Sequence, residues 1–282
     1  MWEIILDTVI DSIKLLPFLL LTYLAMEYLE HKAGERMQSA VRRSGKWGPF
    51  FGSILGAFPQ CGFSTAAANL YAGRVISLGT LLSIYLSTSD EMLPILISEH
   101  VGAGRILKIL AIKIIVGMAA GFVIDLIMRR PEHNHKEEIH QMCDEHHCHC
   151  EKGILQSAVK HTLEIFVYIL LISFVLNMVI AMIGEDFLAE LILNRPVIGE
   201  LIAGLIGLIP NCAASVVITQ LYLGGVLSVG AMLSGLLVGT GVGLLVLLRV
   251  NRRPAENVKI IAMLYAIGVI AGILIGAFGL AI

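Results

Sequence analysis

Eight apolar stretches, at about 4–28, 50–72, 75–97, 106–128, 163–183, 197–223, 226–248 and 258–282, make up most of this sequence. Each approaches the ~20 residues of helix that cross a hydrocarbon core of about 30 Å. Lipid offers no partner to a backbone amide, so such stretches fold as helices that bond within themselves. The sequence thus predicts an all-α integral membrane protein. Composition agrees, with 57% hydrophobic and 15% charged residues and a mean hydropathy of +0.83. That leaves too little polar surface to clothe a soluble core. The net charge of −2 points to no partner, and the basic residues sit in short loops, which argues against nucleic acid. Met1, Trp2 and Glu3 lack the basic start of a cleavable signal peptide, and Arg/Lys residues rather than a small-residue cleavage site follow the first stretch. The five cysteines form no secreted disulfide framework. Cys61 and Cys212 lie in apolar stretches, whereas Cys143, Cys148 and Cys150 share a polar loop with six histidines.

Loop charge sets the orientation. Lys32, Arg36, Arg42, Arg43 and Lys46 form one basic loop, Arg129 and Arg130 a second, and Arg249, Arg252 and Arg253 a third. The loops near His100 and Gly184 hold few cations (Arg105, Lys108, Arg195), and Glu185-Asp186 is acidic. The positive-inside rule places the three basic loops in the cytoplasm. Passing from the first of them to Arg129 takes an even number of crossings, yet three apolar stretches intervene. One stretch must therefore enter and return on the same side. The stretch 50–72 contains Phe58-Pro59-Gln60-Cys61-Gly62, where proline lacks an amide donor and breaks the helix into arms too short to span. Ile209-Pro210-Asn211-Cys212 breaks 197–223 in the same way. The expectation is six full spans, two re-entrant hairpins and extracytoplasmic termini; an unwound but fully crossing helix is the alternative at either break.

The broken stretches are copies. At a constant offset of 151, Gly56, Pro59, Cys61, Ser64, Tyr71, Gly73 and Ser77 meet Gly207, Pro210, Cys212, Ser215, Tyr222, Gly224 and Ser228. The register continues to Lys108, Gly117 and Gly121, matched by Lys259, Gly268 and Gly272. Leu and Gly matches arise by chance in membrane sequence, but Pro-x-Cys-x-x-Ser at both breaks is harder to dismiss. Each half has an odd number of crossings, which turns the second copy upside down. The expected organisation is repeat 1 at 1–128, a cytoplasmic His/Cys-rich loop at 129–153 and an inverted repeat 2 at 154–282. Inverted repeats with interrupted helices are the layout of many secondary transporters, with substrate near the midplane where the breaks meet.

Several residues there carry chemistry. Cys61 and Cys212 are placed at the start of the second hairpin arms, where a helix N-terminus lowers a thiol pKa and favours soft metal or arsenic ligation. Gln60, Asn211, Ser64 and Ser215 add neutral oxygens; plain packing of a small buried Cys is the bland alternative. Ser87-Thr88-Ser89-Asp90-Glu91-Met92 interrupts an apolar stretch, and two carboxylates at that depth mark a pathway. On a continuous helix Asp90 and Glu91 would point about 100° apart. Gly241 and Val242 stand at their places in the second copy, so the charge belongs to the first alone. The competing reading is an ion pair with Lys108 or Lys113. Glu27 and its counterpart Asn177 are further candidates for the same cavity. The loop holds His133, His135, His140, Cys143, His146, His147, Cys148, His149 and Cys150, a ligand density suited to transition metals but to no standard zinc-finger spacing. Gly268, Gly272 and Gly276, like Gly235 and Gly239, have the spacing of close helix contacts. No Walker A loop, Gly-x-Ser-x-Gly elbow or His-Glu-x-x-His is present, so neither an enzyme nor a resident cofactor is expected.

The strings Phe-Pro-Gln-Cys-Gly-Phe-Ser-Thr, Ser-Thr-Ser-Asp-Glu-Met-Leu-Pro and Ile-Pro-Asn-Cys-Ala, with the His-rich central loop, resemble the ten-span heavy-metal exporter family over nearly the whole chain. That family is distantly similar to organoarsenical permeases, and six spans plus four hairpin arms make its ten segments. The resemblance implies efflux of a toxic metal or metalloid, of the manganese or arsenite class, across the cytoplasmic membrane. Paired cysteines suit arsenite or a thiophilic metal; Asp90, Glu91, Asn211 and Gln60 suit Mn²⁺. The expected function is a proton-coupled secondary exporter whose partners are its metal substrate, the bilayer and a possible second copy. Two alternatives are a thiol–disulfide electron relay through Cys61 and Cys212 and an anion or organic-solute permease.

Overall fold

The computed structural model describes residues 47–58, 61–89, 91–128 and 197–278, together with single helical residues within 9–24 and 159–178. Glu27, Gln60, Asp90, Asn177 and the loop 129–153 lie outside the described residues, as does the side chain of Cys61. The continuous segments form ten helices and, among the described residues, no strand. In chain order they are α1 (Gly48–Gly56), α2 (Cys61–Ala72), α3 (Leu78–Ser87), α4 (Met92–Ser98) and α5 (Ala103–Ile127), then α6 (Ile198–Gly207), α7 (Cys212–Leu223), α8 (Val229–Val238), α9 (Gly243–Val250) and α10 (Pro254–Ala277). From α2 and α7 onward, corresponding helices begin 151 residues apart: 61 and 212, 78 and 229, 92 and 243, 103 and 254.

Local chemistry fixes these boundaries. Ser77 caps α3 by accepting from Thr80 N at 3.1 Å, and Ser228 caps α8 by accepting from Ala231 N at 3.0 Å. A carboxylate sits at each of these helix starts, where the helix dipole favours it. At α3 it is Asp125, which accepts from Ser77 Oγ at 2.7 Å and from Gly79 N at 2.8 Å. At α8 it is Glu200, whose Oε1 would lie 2.7 Å from a Cβ on Gly230. Asp125 comes from α5 and Glu200 from α6, while their own counterparts are Gly276 and Pro49. Glu200 Oε2 also accepts from Val197 N at 2.8 Å, at the start of its own helix α6.

Two stretches expected as continuous spans, 75–97 and 226–248, are interrupted at 88–91 and 239–242. In the first, serine and threonine hydroxyls take over backbone acceptors: Ser87 Oγ donates to Ser83 O at 2.8 Å and Thr88 Oγ1 to Ile84 O at 2.7 Å. Glu91 is the N-cap of α4; the relation of about 100° expected between it and Asp90 involves a residue outside the described ones. In the second, Gly239-Thr240-Gly241 unwinds the chain, with Gly241 at φ +55°.

The long helices α5 and α10 pack on α3 and α8 through glycine. A Cβ on Gly121 would lie 2.7 Å from Gly79 O, and one on Gly272 would lie 2.7 Å from Gly230 O. The opposite faces are apolar and exposed: Leu107, Ile115, Val123 and Leu126 on α5, and Val258, Ile270 and Leu274 on α10. Helices with small residues inside and large apolar ones outside are built for lipid. By length and composition, Ala103–Ile127, Val229–Val250 (including its interruption) and Pro254–Ala277 can each cross a membrane. The halves interlock crosswise, α2 on α9 and α4 on α7. Ala67, Ala68 and Tyr71 join Leu244, Val246 and Leu247 in one core, while Met92 and Leu96 join Ala214, Val217 and Ile218 in the other.

Candidate functional site: a layer of helix breaks

The four interruptions lie near one another. Ser89 Oγ, in the α3–α4 link, donates to Ala57 O at the end of α1 at 2.5 Å. A Cβ on Gly239, in the α8–α9 link, would sit 3.9 Å from Gly207 O at the end of α6. The halves meet where Gly243, the first residue of α9, packs on Ser64 of α2; a Cβ there would be 2.7 Å from Ser64 Cβ. Tyr85 OH of α3 also donates to Gly243 O, at 3.0 Å. Helices α1, α2, α6 and α7 have 9, 12, 10 and 12 residues, about 14–18 Å each at 1.5 Å per residue, so none crosses alone.

The N-termini of α2 and α7 open onto this layer, and both begin at a cysteine. Cys212 is buried. Asn211, also buried, precedes it as N-cap, its Oδ1 accepting from Ala213 N at 3.4 Å. Ser215 Oγ donates to Cys212 O at 2.7 Å, and Thr219 Oγ1 donates to Ser215 O at 2.7 Å. Ser64, Ser87 and Ser89 are buried as well. Glu91 is half-buried at the start of α4, and its side chain makes no capping bond. The structure thus gathers Ser64, Ser87, Ser89, Glu91, Asn211, Cys212 and Ser215 around the breaks. Among the described residues, no three His, Cys, Asp or Glu side chains form a ready metal cage. Among the described residues this layer presents hydroxyl, amide and backbone groups beside the Glu91 carboxylate.

Sequence reasoning treated Lys113 only as a possible partner for the acids. Lys113 is fully buried on α5, and its Nζ donates to Leu236 O of α8 at 2.5 Å. Lys108, the other candidate partner, is exposed. Two further features were not foreseen. Thr65, on α2, is buried, and among the described residues its Oγ1 has no hydrogen-bond partner. Arg74, after α2, forms a two-pronged pair with Glu256 of α10 at 2.8 Å for both contacts, and Tyr71 OH donates to the same carboxylate. The Glu256 hydrogen bonds hold the Arg74 guanidinium above its ordinary pKa. Arg74 has φ +57°, where its counterpart Gly225 has φ +75°. Arginine where the matching turn has Gly225 is the one trace of this pair in the sequence.

Outward apolar helices, glycine-lined inner contacts and interrupted helices define a multi-pass, all-helical membrane protein. The model of the family described as "Putative, 10TM heavy-metal exporter" matches residues 1–192, and the chain belongs to that family. No curated protein and no solved structure matches it.

Proposed function

We propose that this protein is a secondary-active exporter that carries a metal cation or metalloid of the manganese or arsenite class out through the layer of breaks. One observation carries the reading: α2 to α5 are followed by α7 to α10, which begin 151 residues later and leave gaps at matching places, and α2 packs on α9 and α4 on α7. Such an arrangement suits two inverted copies that rock about a central site. In this reading α1–α2 and α6–α7 are re-entrant hairpins, the termini are extracytoplasmic, and the His/Cys-rich loop faces the cytoplasm of a bacterial or archaeal cell.

The site has parts for two jobs. The helix N-termini at Cys61 and Cys212, with Gln60 and Asn211 beside them, offer soft and neutral ligands to the substrate. Asp90 or Glu91 takes the coupling proton or balances the cation, a role that explains carboxylates in an apolar stretch. Symmetry supplies the frame and the first copy supplies the charge. No catalytic chemistry or resident cofactor is required. The test is flux of Mn²⁺ and of arsenite, measured separately in proteoliposomes under an imposed pH gradient. The expected result is gradient-driven movement of at least one of them; movement of neither, by protein that is inserted and folded, overturns the proposal.

A further inference from the structure

The two interrupted helices are closed in different ways. In α3 the last turn is capped by its own residues: Ser87 Oγ donates to Ser83 O and Ile84 O at 2.8 and 3.1 Å, and Thr88 Oγ1 donates to Ile84 O at 2.7 Å. Thr88 N also donates to Tyr85 O at 3.3 Å. Helix α8 has Val238 and Gly239 at the corresponding places and no hydroxyl to offer. Its Gly239 N donates to Gly235 O at 2.9 Å. The next carbonyl, Leu236 O, corresponds to Tyr85 O and accepts instead from Lys113 Nζ at 2.5 Å. The lysine arrives from the other half of the chain, and its counterpart on α10 is Leu264. Lys113 has 0% exposure, so the ammonium is held in the protein interior and is not reaching for water.

A helix C-terminus carries a partial negative charge of about half an electron. In transporters with broken helices, such ends and the unwound carbonyls beside them hold the coupling cation. We propose that the Lys113 ammonium is a resident cation: it fills, from within the chain, a small monovalent-cation site at the C-terminal end of α8. The protein then needs no Na⁺ or K⁺ at that end. The same contact ties α5 to the interrupted helix α8. Lys113 is a positioning residue in this account. It does not touch substrate; it holds the open end of α8 in its bound-cation state.

Removing the side chain should expose a site that an outside cation can enter. The full chain, in lipid nanodiscs, is melted in choline, sodium, potassium and methylammonium chloride at equal ionic strength. Wild-type protein is expected to melt at one temperature in all four. Lys113→Ala is expected to melt about 5 °C lower in choline, as suits loss of a charged hydrogen bond, and to recover saturably with methylammonium or Na⁺. Mn²⁺ or arsenite flux should fall about tenfold or more in choline and return with the same cation. Should Lys113→Ala fail to insert, Lys113→Gln takes its place: it keeps a donor, loses the charge and should show the same cation rescue. Lys113→Arg should stay close to wild type. The proposal rests on the exporter reading only for its flux arm. Cation-rescued melting without flux in the wild type would keep the site and sink the exporter. Melting of Lys113→Ala and Lys113→Gln that ignores every cation, or wild-type flux in either variant in choline, overturns the resident cation.

Discussion

Glu91 stands half-buried where the first half resumes its helix, and Val242 holds the matching place in the second. A carboxylate in an apolar stretch, with valine at the matching place, is the motive for the coupling proposal. If Asp90 or Glu91 carries the coupling proton, the neutral isostere Asp90→Asn or Glu91→Gln should lower flux at least about a hundredfold and flatten its pH dependence, with the protein still inserted. The competing ion-pair account expects lost stability instead, restored by adding Lys113→Met. Wild-type flux in both single variants would end the coupling proposal. Replacing the cysteines tests the substrate class. In Cys61→Ser/Cys212→Ser, a hard cation such as Mn²⁺ should keep most of its flux, and arsenite should lose nearly all. Equal retention of both would remove the cysteines from the site. The sequence exposed the acids and cysteines because such residue types are rare in lipid-length segments. Lys113 was equally visible as a residue, but it donates to a backbone carbonyl 123 positions away, and a carbonyl leaves no mark in sequence.

Helices in this fold are defined as much by where they stop as by where they run. The stops of α1 and α6 at Gly56 and Gly207 were legible because a proline follows each within three residues in the sequence and removes a donor outright. Those at 88–91 and 239–242 were not, since Ser-Thr-Ser and Gly-Thr-Gly are tolerated inside continuous membrane helices. Beyond the Ser87 and Thr88 hydroxyls that close α3 from within, neighbouring elements hold these breaks: Ala57 O accepts from Ser89 Oγ, and Lys113 reaches Leu236 O. Such cross-chain satisfaction is tertiary information. Glycine spacing was better evidence, and it predicts how the long helices dock. The α5–α3 and α10–α8 contacts bring backbone to backbone, with any Cβ on Gly121 or Gly272 at 2.7 Å from a carbonyl oxygen. Carbonyls in a packed helix cannot swing aside as a lysine tip can. Gly121→Leu and Gly272→Leu should each therefore cost about 3 kcal/mol or more, read as lowered melting temperature and poor membrane yield. Gly104→Leu, where a Cβ meets nothing within 4 Å, serves as the control. A Gly121→Leu protein as stable as this control would show that the helices do not pack as described.

At the scale of the molecule the halves are joined at the break layer and again by Arg74 and Glu256. This second join is about a tenth exposed on either side chain, 10% and 12%, so it is shielded enough to resist salt screening. Arg74 holds a left-handed backbone, φ +57°, that glycine occupies without strain at the matching turn. The arginine persists there because its guanidinium spans to α10 with both prongs on one carboxylate, a geometry lysine cannot copy. If two rocking halves alternate access, a clasp of this kind favours whichever arrangement closes it. Arg74→Gly relieves the backbone and releases the clasp, so its effect on stability is a balance of two opposed terms. Glu256→Gln releases the clasp alone. A double-mutant cycle between Arg74→Gly and Glu256→Gln isolates the pair, with an expected coupling of about 1–2 kcal/mol. The functional consequence is separate from the stability one. Opening the clasp should shift the balance of conformations, so a maleimide probe on a cysteine placed next to Arg74 in the chain, at Val75, should react faster in either variant than with the clasp intact. Unchanged labelling together with a coupling near zero would reduce Arg74 and Glu256 to a surface pair that happens to lie where the halves meet.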